Sequence, residues 1–320
     1  MKTRISHLNP RIRLLAAVLL AATAIANAAD KAALKDAFRD HFLVGAAINR
    51  GMATGKAGGF NRTQEQVEQD IALVKEQFNQ VTAENDTKWQ LIHPREGAGG
   101  YNFDPADAFV NFGLSNNMFV VGHTLVWHSQ TPNWVFAGTN PPPPGVANVS
   151  PASVTNTNAA GTNAPGRGRL GGGFDGFGRG YAGPRASREE LLQRMRDHIH
   201  TVVGRYKGKI KAWDVVNEAL ADGGGTNVLR NSLWLQIIGP DYIAKAFQYA
   251  HEADPNAILR YNDYGLENPA KRQKLVTLIK SLQERKVPVH AMSLKTAIDP
   301  TKYTKSTKGE GAEPRETLTG

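Results

Sequence analysis

The chain has 320 residues, 41% of them hydrophobic and 21% charged, which is enough apolar material for one large domain or two ordinary ones and too much for a disordered chain. It contains no cysteine, which excludes a disulfide framework and thiolate metal sites. The net charge of +9 raises nucleic acid as a partner, but Lys2, Arg4, Arg11 and Arg13 lie in a leader and Arg167, Arg169, Arg179 and Arg185 in a low-complexity stretch; no basic helix remains to grip phosphates.

Residues 1–28 combine a basic start, the apolar run Leu14 to Ile25 and a small-x-small site at Ala26-Asn27-Ala28. This is the pattern of a secretory signal peptide, and it predicts a chain that is secreted or periplasmic after cleavage. The apolar run of about 12 residues is too short for a membrane span, which needs about 20. Later segments are also too short or too polar, so no membrane span is expected.

Strand-like and helix-like pieces then alternate. Phe42 to Asn49 reads as a first buried strand, and Thr63 with Gln66 as a capping box opening a helix whose apolar face is Val67, Ile71, Val74 and Phe78. A second strand, Asn79 to Glu84, runs into the polar cluster Glu84, Asn85 and Lys88. Asp104-Pro105 starts a helix that ends near Asn116 and Asn117. The third strand, Met118 to Leu125, leads to His123, Trp127 and His128. Ser187 and Glu190 form another capping box, with Leu191, Leu192, Met195, Ile199, Val202 and Tyr206 as the buried face. The fourth strand is Ile210 to Val216, the fifth Ala257 to Tyr261, followed by Asn262-Asp263-Tyr264, and Pro288 to Met292 begins a sixth. Helices through Tyr242 to Ala250 and from Asn268-Pro269 stand between them.

Such alternation implies parallel βαβ units. The polar clusters fall at the C-terminal ends of strands, where a (β/α)8 TIM barrel keeps its active site. A doubly wound sheet has the same alternation, but a Gly-x-Gly-x-x-Gly turn after the first strand is absent. One stretch interrupts the pattern. Residues 138–186 are rich in Gly and Pro, with Pro141 to Pro144, Gly171-Gly172-Gly173 and scattered aromatics, and have too few apolar residues for a core. They read as an insertion after the third strand.

The chemistry gathers around Ala212-Trp213-Asp214-Val215-Val216-Asn217-Glu218, where a β-branched run ends in an amide and a carboxyl group at a rim. There a desolvated carboxyl can serve as a general acid. With Thr82-Ala83-Glu84-Asn85-Asp86-Thr87-Lys88-Trp89 and Gly122-His123-Thr124-Leu125-Val126-Trp127-His128, this motif resembles glycoside hydrolase family 10, the retaining endo-β-1,4-xylanases. The resemblance covers roughly residues 42–292 within a catalytic unit of 29–292.

It implies hydrolysis of internal β-1,4-xylosidic bonds with retention, acting on xylan or xylo-oligosaccharides as a monomer without metal or cofactor. Glu218 would be the general acid/base and Asn217 the contact to the hydroxyl beside the reacting carbon. Glu84, Asn85 and Lys88 would hold sugars on the non-reducing side, His123 and Trp127 would flank the reacting ring with His128 behind them, and Tyr264 would stand near the leaving-group sugar. The chain departs from the family at its end. Family members follow the sixth strand with a Gln and a His, and a seventh strand carries the nucleophilic Glu. Here Ser293-Leu294-Lys295-Thr296-Ala297-Ile298 opens a polar tail over 293–320. About six of eight βα units are therefore expected, with the nucleophile absent. Two origins of the tail stay open, a natural short form and a shift of reading frame near Met292 or Ser293. Codons for Ser293 to Ile298 can be chosen whose neighbouring frame spells Ser-Gln-Asp-Gly-His. The rival functional reading is a xylan-binding remnant without turnover.

Overall fold

Six parallel strands form one sheet in the order β1 (Gly45–Ile48), β2 (Gln80–Ala83), β3 (Phe119–Trp127), β5 (Ala212–Asn217), β6 (Ile258–Tyr264) and β7 (Ala291–Lys295). The computed structural model describes residues 32–58, 62–140 and 181–295. The expected signal peptide, most of the insertion and the tail from residue 296 lie outside these residues. Each strand of the sheet pairs with the sheet strand that follows it in the chain. The order never reverses, so there is no switch point of the doubly wound kind. The sheet curls as part of a TIM barrel, leaving β1 and β7 as open edges among the described residues.

The main helices are α1 (Gln64–Gln77), α2 (Asp104–Ser115), α3 (Arg188–Arg205), α4 (Tyr242–Ala253) and α5 (Pro269–Glu284). Both capping boxes form: Thr63 and Gln66 exchange hydrogen bonds at the start of α1, and Ser187 and Glu190 at the start of α3. Asn268 caps α5, accepting from the amides of Ala270 and Lys271. The expected apolar face of α3 is buried at Leu191, Met195, Ile199, Val202 and Tyr206, with Leu192 only half-buried, and the helix packs on α4. Gly122 of β3 leaves room for the Trp213 ring on the adjacent strand: a Cβ at residue 122 would stand 2.2 Å from that ring.

Two expectations change. The first strand is shorter than residues 42–49, and Phe42 and Leu43 are exposed rather than buried, because nothing among the described residues pairs with the outer edge of β1. A short strand not foreseen, β4 (Ala137–Asn140), stands outside the main sheet and bridges to Arg185. Backbone bonds from Gly138 to Pro184 (3.0 Å) and from Ala186 to Phe136 (2.9 Å) pin the two ends of the insertion together.

One core side chain makes stability pH-dependent. His198 on α3 is buried, stacks on Trp89 with centroids 3.7 Å apart, and has no hydrogen-bond partner on either ring nitrogen. Burial, with the nearby His93 adding to it, holds its pKa well below the ordinary 6.5. The unfolded chain therefore takes up a proton that the folded chain refuses. Stability should be constant above about pH 6.5 and fall below it by up to about 1.4 kcal/mol per pH unit for this residue. Urea midpoints measured between pH 7.5 and 5.5 should show that decline, and His198→Phe should flatten it. An equally steep decline in the variant would remove His198 as its cause.

Candidate active site

Strand register assembles the site in two rows. Across β3, β5 and β6, His123 pairs with Asp214 and Asp214 with Arg260; further along, Trp127 pairs with Asn217 and Asn217 with Asn262. The ladder shifts between His123 and Val126, and between Asp214 and Val216. Neighbouring parallel strands stand about 4.8 Å apart, so side chains level with each other on one face are within bonding reach.

In the lower row the buried Asp214 carboxylate accepts from His123 Nδ1 at 2.9 Å and from Arg260 Nε at 2.9 Å. His123 is thereby oriented through one nitrogen. Its backbone N–H donates to Thr87 Oγ1 at 2.9 Å, and Thr87 Oγ1 donates to the His123 carbonyl at 2.7 Å. In the upper row Asn262 Nδ2 donates to Asn217 Oδ1 at 2.6 Å, while Asn217 Nδ2 is buried without a partner. A buried amide donor left open in this way is costly unless something outside the protein accepts from it.

Glu218 follows Asn217 with φ of 55°, in the left-handed region that a non-glycine residue occupies at a cost of about 1 kcal/mol. Long-range bonds hold it there. Its N–H donates to the Asn262 carbonyl at 2.8 Å and its own carbonyl accepts from Arg230 Nε at 3.1 Å. The next amide, Ala219, donates to Tyr261 Oη at 3.0 Å. The turn aims the carboxyl at Trp127, whose Nε1 donates to Glu218 Oε2 at 3.0 Å.

Lys88 links this group to the sugar-site residues expected just beyond β2. Its Nζ lies 4.9 Å from the Trp127 ring centroid and donates to Asn85 Oδ1 at 2.9 Å and Gln130 Oε1 at 2.7 Å. Glu84, Asn85, Lys88 and His123 together line a cavity of about 440 Å3 that reaches Asp214, Arg260 and, on β7, Ser293. The expected residues Glu84, Asn85, Lys88, His123, Trp127, Asn217 and Glu218 are thus contiguous. His128 is buried, its ring edge-on to Trp127 at 5.7 Å.

Tyr264 sits in a charged cluster. Its hydroxyl donates to Asp222 Oδ2 at 2.7 Å and accepts from Arg230 Nη2 at 3.0 Å, with Lys271 Nζ 3.6 Å from its ring centroid. Burial pushes the Asp222 carboxyl up, but hydrogen bonds from Lys271, Tyr264 and Arg230 outweigh it and hold the group well below the carboxylate range. Lys271 also pairs with Asp263 at 3.0 Å. Arg230 therefore ties the Glu218 backbone to the Tyr264 cluster.

Sequence reasoning did not single out Asp214, Gln130, Arg230, Arg260 or Asn262 for the site. Asp214, Asn262 and the strand of Arg260 lay within the stretches quoted above, but their partners lie 45 or more residues away in the chain. Gln130 carried no local signal.

Comparison with known proteins shows the family. The family model described as Glycosyl hydrolase family 10 matches residues 33–149 and 180–309. A β-1,4-xylanase of Dictyoglomus thermophilum is 38% identical over 261 residues, covering 82% of this chain and 56% of the relative. An endo-1,4-β-xylanase of Geobacillus stearothermophilus is 38% identical over 261 residues, with 82% and 61% covered. Among solved structures, a xylanase from Paenibacillus barcinonensis complexed with a conduramine derivative superposes with a TM-score of 0.62 at 34% identity, over 83% of this chain and 63% of that one. The chain thus spans little more than half the length of these curated relatives. Matched by the family model over most of its length, and 38% identical to the first of these xylanases over 82% of the chain, the chain belongs to glycosyl hydrolase family 10.

Proposed function

We propose that this chain is built to act on β-1,4-xylan as an endo-xylanase of the retaining kind, with Glu218 as the general acid/base. The observation that carries the reading is the pairing of Glu218 with Trp127 at 3.0 Å beside the open Asn217 amide, joined through Lys88, 4.9 Å from the Trp127 ring, to the cavity bearing Glu84, Asn85 and His123. The printed names of the relatives supply the polymer. In this reading Glu218 protonates the interglycosidic oxygen, Asn217 Nδ2 donates to the hydroxyl beside the anomeric carbon, and Lys88, Asn85 and Glu84 hold sugars on the non-reducing side. Tyr264 stands toward the leaving group. Retention needs a second carboxylate about 5–5.5 Å away to attack the anomeric carbon. No described residue takes that role by motif. The space between the open edges β1 and β7 is where the strand carrying it would stand. The same gap favours a second reading, a xylan-binding protein without turnover. The leader further supports export, with the mature monomer outside the cytoplasm.

Calorimetric titration with xylotriose tests the cleft independently of turnover. The full chain should bind, and Lys88→Ala should weaken binding about 10- to 100-fold, since charge-assisted hydrogen bonds contribute about 1.5–3 kcal/mol. Equal affinity of variant and parent would remove Lys88 from the sugar site, and no binding by the parent would sink the xylan reading.

A further inference from the structure

A second cavity, of about 360 Å3, opens between the loop 93–101, the turn Asn133–Val135 and the face of α3. It shares no lining residue with the cleft. Three rings build its wall: Tyr101 stacks on His93 at 3.6 Å, and Trp134 meets His93 edge-on at 4.7 Å. Tyr101 and Trp134 are half-buried, so part of each ring still faces solvent. His93 is anchored through Nε2 to the Gly97 carbonyl at 3.0 Å, while His93 Nδ1 and Trp134 Nε1 are buried without hydrogen-bond partners. The rim is polar and exposed at Glu96, Asp197 and Thr201. Arg194 is held rigid beneath it, donating to the carbonyls of Trp134, Val135 and Ala137 and to Glu96 at 3.3 Å.

An anion entering here would face two carboxylates, and a cation would face the Arg194 guanidinium. A neutral ring with an apolar face and a hydroxylated edge suits both halves of the wall. Its C–H face packs on the exposed part of Trp134 and against the edge of Tyr101, whose ring is stacked on His93 at 3.6 Å and on Phe103 at 5.3 Å, and its hydroxyls meet Glu96, Asp197 and Thr201. The volume falls in the ~300–1,000 Å3 class of small-ligand clefts. The geometry points to a second saccharide site outside the catalytic cleft, taking a short β-1,4-linked xylo-oligosaccharide stretch of the polymer. The choice of xylose units rests on the xylan reading of the cleft. Two sites on one chain would hold it on insoluble polymer more tightly than either does, through the raised effective concentration of the second contact.

Thr201→Arg tests this on the full chain. Thr201 is exposed on α3 and its side chain hydrogen-bonds Tyr101, so the substitution fills the groove and costs the wall that one contact. Xylotriose titrations should give two sites for the parent chain, the groove alone for Lys88→Ala at saturations below its weakened cleft affinity, and the cleft alone for Thr201→Arg. Retention of Thr201→Arg on insoluble xylan should drop about tenfold. One site in the parent with an unchanged isotherm in Thr201→Arg would overturn the groove and leave the cleft standing. Loss of a site in Thr201→Arg with no change in Lys88→Ala would support the groove and count against the cleft. A parent chain that binds no xylotriose would overturn both.

Discussion

With an aryl β-xylobioside, the full chain should release the phenol slowly in buffer and at least about a hundredfold faster in molar azide, with α-xylobiosyl azide as the product. The physical basis is the division of labour in a retaining pair. A carboxylate attacks the anomeric carbon from the face opposite the leaving group, while a carboxylic acid protonates the departing oxygen. If Glu218 supplies the second role and no group supplies the first, a small anion can take its place. The azide nitrogen forms the bond to the anomeric carbon, the bond to the aryl oxygen breaks with its electron pair, and Glu218 gives that oxygen a proton. The configuration inverts once and, lacking an enzyme ester, is never restored. The cavity of about 440 Å3 beside Lys88 and His123 leaves room for such an anion. Glu218→Gln should then divide substrates by leaving group. Rates with a poor leaving group should fall about 10²- to 10⁴-fold, the usual range for general acid catalysis, and rates with dinitrophenolate much less. Rapid xylan hydrolysis with retention and no azide would show that a nucleophile is present after all.

Asp214→Ala should cost about 3–5 kcal/mol of stability, the range for breaking a buried ion pair from one side. Asp214 is 2% exposed and its carboxylate is the partner of both His123 and Arg260. Removing it strands a guanidinium in a side chain only 16% exposed, and leaves the imidazole Nδ1 with nothing to fix its orientation. Asp214→Asn keeps one acceptor and should lose about half as much. Urea midpoints read the stability, and the xylotriose titration reads the second consequence: binding through His123 should weaken in the Asn variant even where it is folded. If both variants match the parent in midpoint, the row His123, Asp214, Arg260 does not hold the strands together.

Much of this molecule was legible residue by residue. Thr63, Ser187 and Asn268 announce helix starts because a cap needs only three neighbouring residues, and all three caps form. The order of strands and helices could be followed because each element carries its own apolar period. Boundaries were less secure. The fourth expected strand, residues 210–216, lies at Ala212–Asn217, since pairing partners rather than propensity decide where a strand stops. Phe42 and Leu43 have the composition of a buried strand and are exposed, because burial depends on a covering layer and not on the residue.

The site divides along the same line. Three short motifs mark Glu84, Asn85, Lys88, His123, Trp127, Asn217 and Glu218 as polar residues at strand ends, and that much is local. Their mutual geometry is not. The sequence of His123, Asp214 and Arg260 contains nothing that says they share a row; the parallel register between β3, β5 and β6 does. Gln130 reaches Lys88, and Arg230 reaches Tyr264, only through tertiary packing, whereas Arg230 reaches the Glu218 carbonyl across a local bridge between Leu220 and Leu229. Alternation, caps and motif residues follow from interactions a few residues long, whereas side-chain pairing across a curled sheet joins positions 34 to 91 residues apart, whose meeting depends on strand order and register.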